Sequence, residues 1–166
     1  RGSATSAGAI PAGAVVLLFG YNGLVIGAYA ASIPVLRARF GLEPWQLALF
    51  FVCMGLAGIA SMQVAGRLAD RHGARRVALA MLPVLVVAIL GIGWAPTLPA
   101  LSVAGVVLGL ANGGIDVSMN AIGVQVERRR PRPIMSFFHG MWSVGNLAGS
   151  VLLVATASLF GGAAEP

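Results

Sequence analysis

Residues 112–120 read Asn-Gly-Gly-Ile-Asp-Val-Ser-Met-Asn, inside an apolar run from Leu98 to Val126 that holds no other charged side chain. At ~100° per residue on a helix, Asn112, Asp116 and Asn120 share one face with Gly105, Gly109, Gly113 and Gly123. That face is small and polar, with a carboxylate at its centre. The other faces carry Val, Leu and Ile. A charge at the middle of a bilayer costs several kcal/mol or more, so Asp116 must face other helices or water.

Composition says what surrounds it. Of 166 residues, 58% are hydrophobic and only 10% charged. A soluble domain carries about a quarter charged residues, so this much apolar surface calls for a bilayer. The formal charge is +6, from eleven Arg or Lys, all Arg, against five acids. The arginines sit in short segments between apolar runs, which is the pattern of membrane orientation rather than of nucleic-acid binding. Cys53 is the single cysteine. It has no internal partner, and reads as a small core residue.

Five apolar runs are predicted as spans of an all-α polytopic transmembrane bundle, at about 10–36, 46–66, 77–95, 98–126 and 134–160. Each is near the ~20 residues that cross ~30 Å of hydrocarbon. Residues 1–9 read as a frayed end and 161–166 as the beginning of a loop. The first run carries Asn22 and Tyr29 on one face and Gly20, Gly23 and Gly27 on another, the latter suited to close helix contact. Pro34 marks its end. The third run is apolar all round until Trp94 and reads as peripheral, with Pro83 a candidate kink. The polar residues of the fifth run, Ser136, His139, Trp142, Ser143, Asn146 and Ser150, share one side. Gly105, Gly109 and Gly113 have small-xxx-small spacing and read as packing.

Alternate segments between the runs are rich in Arg. One side holds Arg1, Arg67, Arg71, Arg75, Arg76, Arg128, Arg129, Arg130 and Arg132; the other holds Arg37 and Arg39. Positive charge favours the cytoplasm. The expected topology is multi-pass in the inner (plasma) membrane with a cytoplasmic N-terminus.

The segment joining the second and third runs reads Gly66-Arg-Leu-Ala-Asp70-Arg71-His-Gly73-Ala-Arg75-Arg76. It resembles the signature between helices 2 and 3 of the major facilitator superfamily. Ala74 stands where many members have a basic residue, and the basic pair follows one place later. The patterns around Asn112–Asn120 and Arg132–Gly145 resemble a bacterial branch related to sugar permeases such as the fucose:proton symporters. The resemblance implies helices 1–5 of a twelve-helix transporter, with the sixth helix and the C-terminal half missing. It also implies a cavity walled by helices 1, 2, 4 and 5, with helix 3 at the periphery. Gly66, Asp70, Arg71, Gly73, Arg75 and Arg76 are then a loop that either sets topology alone or latches the two halves together.

Asp116 is the candidate for proton coupling, because burial and neighbouring charge act in opposite senses on such an acid. The alternative is a hydrogen-bonded glue between helices. Asn112, Asn120, Asn22 and Asn146 can donate and accept, to a polar solute or between spans. His139 can titrate or pack. Trp142 and Tyr29 can stack on a sugar ring or pack. His139 and Ser143, four apart, suggest a hydrolase only superficially, since no Gly-x-Ser-x-Gly elbow surrounds the serine. No phosphate-binding loop or metal motif is present, so neither cofactor nor metal is expected. The expected function is secondary transport of a small solute, sugar-like first, with protons as the coupling ion. Drug or metabolite export and a non-transporting scaffold or receptor are the alternatives.

Overall fold

The computed structural model describes residues 10–161, with side chains to Leu159; the expectations for residues 1–9 and 162–166 lie outside that range. The order is α1 (Ala12–Phe40), α2 (Pro44–His72), α3 (Ala74–Trp94), α4 (Leu98–Glu127) and α5 (Met135–Gly161). All five are long and apolar enough to cross a membrane. The fold is an all-α, multi-pass membrane bundle.

The helices outrun the apolar stretches. At about 1.5 Å per residue, the 29 residues of α2 extend roughly 43 Å, beyond the ~30 Å of hydrocarbon. Its last turns therefore stay helical in polar surroundings. The segment expected to be a loop is mostly helix: Gly66 to His72 belong to α2, and only Gly73 breaks the chain before α3. Gly73 has φ 92°, a conformation that excludes most side chains. Gly66 does not turn the chain; it faces Val117 of α4.

Pro34 does not end α1, which continues six residues beyond it to Phe40. Proline removes one N–H and leaves one carbonyl, that of Ala30, without its usual donor. Ser32 Oγ donates to the Tyr29 carbonyl at 2.6 Å, one residue before the carbonyl that Pro34 frees. Pro83 likewise lies within continuous α3. Cys53 is exposed on α2 rather than in the core. Its helix turns only one side to the bundle, and Ala65 is its only buried residue.

Two parallel pairs make the bundle. α1 packs along α5, and α2 along α4. Glycine permits both approaches. A methyl group at Gly23 or Gly27 would collide with the carbonyl oxygens of Trp142 and Asn146, and one at Gly145 or Gly149 with those of Gly20 and Leu24. On the other seam, Gly109 meets the Met54 carbonyl and Gly113 that of Gly58. α3 covers α4 with Leu85, Ala88 and Ile92 and leaves Leu79, Val86, Val87 and Leu90 exposed. α4 is central, with fourteen buried residues.

The turns are fixed by side chains. Glu43 and Gln46 form a capping box at the start of α2, a reciprocal arrangement that satisfies backbone donors otherwise left free. Arg39 donates to the carbonyls of Gly93 and Ala95 at 3.0 and 2.9 Å, holding the end of α1 to the end of α3. Glu127 Oε2 accepts from the backbone N–H groups of Ile134 and Met135, each at 2.7 Å. A carboxylate is favoured at the positive end of α5.

Candidate functional site

The polar residues of three spans meet through Asn22. It is 2% exposed. Trp142 Nε1 donates to Asn22 Oδ1 at 2.8 Å, and Asn22 Nδ2 donates to Asn112 Oδ1 at 3.0 Å. An indole N–H can only donate, which fixes the Asn22 oxygen towards Trp142 and its nitrogen towards Asn112. One chain of hydrogen bonds thus joins α5, α1 and α4, where direct contact of α4 with α1 and α5 is slight.

One turn beyond Asn112 is Asp116, half-buried. Asn120 Nδ2 donates to the Asp116 carbonyl at 2.9 Å and approaches its Oδ1 at 3.4 Å. His139 lies on α5. The imidazole stands edge-on to Phe19, with ring centres 5.3 Å apart, and Phe19 stacks on Phe138 at 5.6 Å. Phe19 and Phe138 are fully buried, whereas His139 is exposed. The imidazole therefore lies at an accessible surface over an aromatic floor.

The glycines that share the Asp116 face serve two neighbours. Gly105, Gly109 and Gly113 face α2, and Gly123 meets Met135 and Phe138 of α5. They are packing residues. Asn146 lies against α1 through its backbone, where Ser150 Oγ donates both to its carbonyl and to that of Gly27, each at 3.0 Å. Ser143 Oγ donates to the His139 backbone carbonyl at 3.2 Å, so the hydroxyl is aimed at the backbone rather than the imidazole. Tyr29 is buried on the wall of a cleft between α1, α2 and α4.

Asp70, Arg71, Gly73, Arg75 and Arg76 lie exposed at the α2–α3 junction, and Gly66 lies one to two turns inside α2. Arg76 makes one weak local bond, to the His72 carbonyl at 3.4 Å. The α4–α5 loop, with Arg128, Arg129, Arg130 and Arg132 exposed, emerges at the same end because successive helices reverse direction. The Asp116 group and the α2–α3 charges are thus separate places in the molecule. A larger groove of about 530 Å³ between α1 and α3 is lined by apolar side chains and Arg75. It contains none of the Asp116 group.

The sequence reading missed four participants: Glu127 as the cap of α5, Arg39 as a clasp, and Gly145 with Gly149 as the α5 half of a seam. The Gly-x-x-x-Gly spacing at 145 and 149 was the available signal for the last two.

Residues 15–164 match the Major Facilitator Superfamily. The chain is 36% identical over 129 residues to an uncharacterized transporter of Sinorhizobium fredii, covering 78% of this chain and 34% of that one. It is 36% identical over 134 residues to an uncharacterized MFS-type transporter of Yersinia pestis, covering 81% and 35%. It is 32% identical over 136 residues to the membrane protein MosC of Rhizobium meliloti, covering 82% and 33%. The chain thus spans about a third of the length of these curated relatives. No solved structure matches it.

Proposed function

The chain belongs to the Major Facilitator Superfamily, and on that premise we propose that it forms one wall of a secondary active transporter that moves a small polar solute by alternating access, coupled to protons through Asp116. One observation carries the reading: Asp116, the only acid within the apolar part of any span, lies half-buried with the Asn120 amide beside its carboxylate. A carboxyl there can take a proton when water reaches it from one side and lose it when the path opens to the other. Its two forms differ by a full charge. Loading therefore alters how strongly the carboxyl draws the neighbouring Asn120 amide and any water beside it.

The solute would lie against Trp142, Asn112 and Asn146, near the middle of the spans, where transporters of this kind bind. A sugar-like solute is the first choice, on the resemblance of the Asn112–Asn120 and Arg132–Gly145 patterns to sugar permeases. The exposed Asp70, Arg71, Arg75 and Arg76 are suited to hold a second half of the transporter on the cytoplasmic side of the inner membrane.

The test is made with the intact protein in liposomes that enclose a pH-sensitive dye and are challenged with a panel of neutral monosaccharides. Proton entry should accompany uptake of at least one sugar. Asp116→Asn should abolish accumulation driven by a pH gradient while counterflow of labelled sugar survives. Proton-driven accumulation that persists in Asp116→Asn rejects the coupling role.

A further inference from the structure

Four of the eleven arginines, Arg128, Arg129, Arg130 and Arg132, fall within five consecutive positions between α4 and α5. All four are exposed. The acid beside them, Glu127, is committed to the Ile134 and Met135 N–H groups. Arginines at the opposite end of the bundle are used differently. Arg37 donates to the Leu42 carbonyl at 3.3 Å, and Arg39 to those of Gly93 and Ala95. Among the described residues, Arg37, Arg39 and Arg76 are the arginines whose side chains make a hydrogen bond. The four guanidinium groups between α4 and α5 stand outside that set.

Backbone geometry decides what such a cluster can hold. The N–H groups of Arg128, Arg129 and Arg130 bond back to the carbonyls of Val124, Val126 and Glu127 at 3.0, 3.3 and 2.8 Å. These residues prolong the winding of α4, where successive side chains diverge by ~100°. Guanidinium groups that fan out in this way do not close on one phosphate. They suit several anions side by side. The segment is also short, since residues 128–134 alone separate the two helices. Its arginines therefore stay near the level at which the spans leave hydrocarbon. Val124 and Phe137, 37% and 59% exposed, flank it on α4 and α5. A lipid leaflet presents a matching pattern, with phosphates side by side in the headgroup layer and apolar chains beneath.

We propose that the α4–α5 segment is a docking surface for anionic phospholipid. Arg128, Arg129, Arg130 and Arg132 hold the headgroups, and Val124 and Phe137 meet the acyl chains. Guanidinium matches phosphate oxygens in bidentate pairs. Each basic residue near an anionic membrane surface strengthens association by about fivefold. The proposal does not depend on which solute is transported.

The test uses the intact protein in detergent, titrated with dioleoylphosphatidylglycerol or dioleoylphosphatidylcholine, with bound lipid counted by native mass spectrometry. Phosphatidylglycerol should bind more tightly, and its advantage should fall as salt rises. The double variant Arg129→Gln/Arg130→Gln should weaken phosphatidylglycerol at least fivefold and leave phosphatidylcholine unchanged. It keeps Arg67, Arg71, Arg75, Arg76, Arg128 and Arg132 at that end of the bundle, so membrane orientation is retained. If it fails to accumulate, Arg128→Gln/Arg132→Gln replaces it under the same criterion. Arg37→Gln, at the opposite end, should leave phosphatidylglycerol binding unchanged. An equal loss in Arg37→Gln makes the effect one of net charge and overturns the surface. So does displacement of phosphatidylglycerol by inorganic phosphate beyond that by chloride at matched ionic strength, which indicates a site for a single anion. Unchanged lipid binding with a lowered melting temperature in the double variant assigns the arginines to another part of the polypeptide and likewise overturns the proposal.

Discussion

The α1–α5 and α2–α4 seams use the same device and end differently. Each joins two parallel helices through glycines. Along α1–α5, every close approach is backbone against backbone: Gly23, Gly27, Gly145 and Gly149 all meet carbonyl oxygens. Trp142 and Ser150 then cross the seam with hydrogen bonds. Along α2–α4, Gly109 and Gly113 meet backbone, but Gly105 meets the ring of Phe50. Only the Ser61 hydroxyl crosses, donating to the Leu110 carbonyl at 2.6 Å, and the seam opens beside Gly55 and Gly58 into the Tyr29 cleft. One pair is closed along its length; the other is closed at some levels and accessible at others. Small residues alone do not say which, because the outcome depends on what stands opposite.

The sharpest way to break the contrast is Gly149→Ala. The new methyl would strike the Leu24 carbonyl, and a backbone cannot turn aside as a side chain does. Overpacking of this kind costs about 3 kcal/mol, or roughly 6–12 °C of melting temperature for a chain of this size, read from thermal unfolding in detergent. Asn22→Ala should come next. It leaves the Trp142 indole and the Asn112 oxygen without their partner, at about 1–3 kcal/mol. The same melt, repeated on Asn112→Ala and the double variant, should show non-additive losses because the two residues share one network. Gly105→Ala should be mildest, at about 1 kcal/mol or less, since Phe50 can swing away. A Gly105→Ala melt as low as that of Gly149→Ala would erase the distinction between the seams.

Much of this was legible in the residues. The five apolar runs marked five spans, because hydrocarbon demands length and apolarity and little else. The spacing of Gly105, Gly109 and Gly113 marked a packing face. Pairing was not legible. Periodicity puts Asn22 and Asn112 each on a face of its own helix, but which helices face each other is a tertiary fact. Helix ends were misjudged for a related reason. Charge at Arg67 and Asp70 marks exit from hydrocarbon, and helical hydrogen bonding continues through that exit until Gly73 stops it. Pro34 reads as a terminator, yet it removes only one hydrogen bond from a helix of 29 residues. Cys53 reads as a core residue because it is apolar, a rule that fails where the solvent is apolar too.

The Glu127 carboxylate takes hold of the N–H groups of Ile134 and Met135, at the entry to α5, from the last turn of α4. Mechanically it is a rivet that bypasses the arginine-bearing chain from 128 to 133, whose Arg128, Arg129 and Arg130 N–H groups bond back to the last turn of α4. A tilt of α4 is therefore handed to α5 across two short bonds, without travelling through that segment. The arginines are spared any duty as a linkage and are at liberty to answer to the charge of the surface beside them.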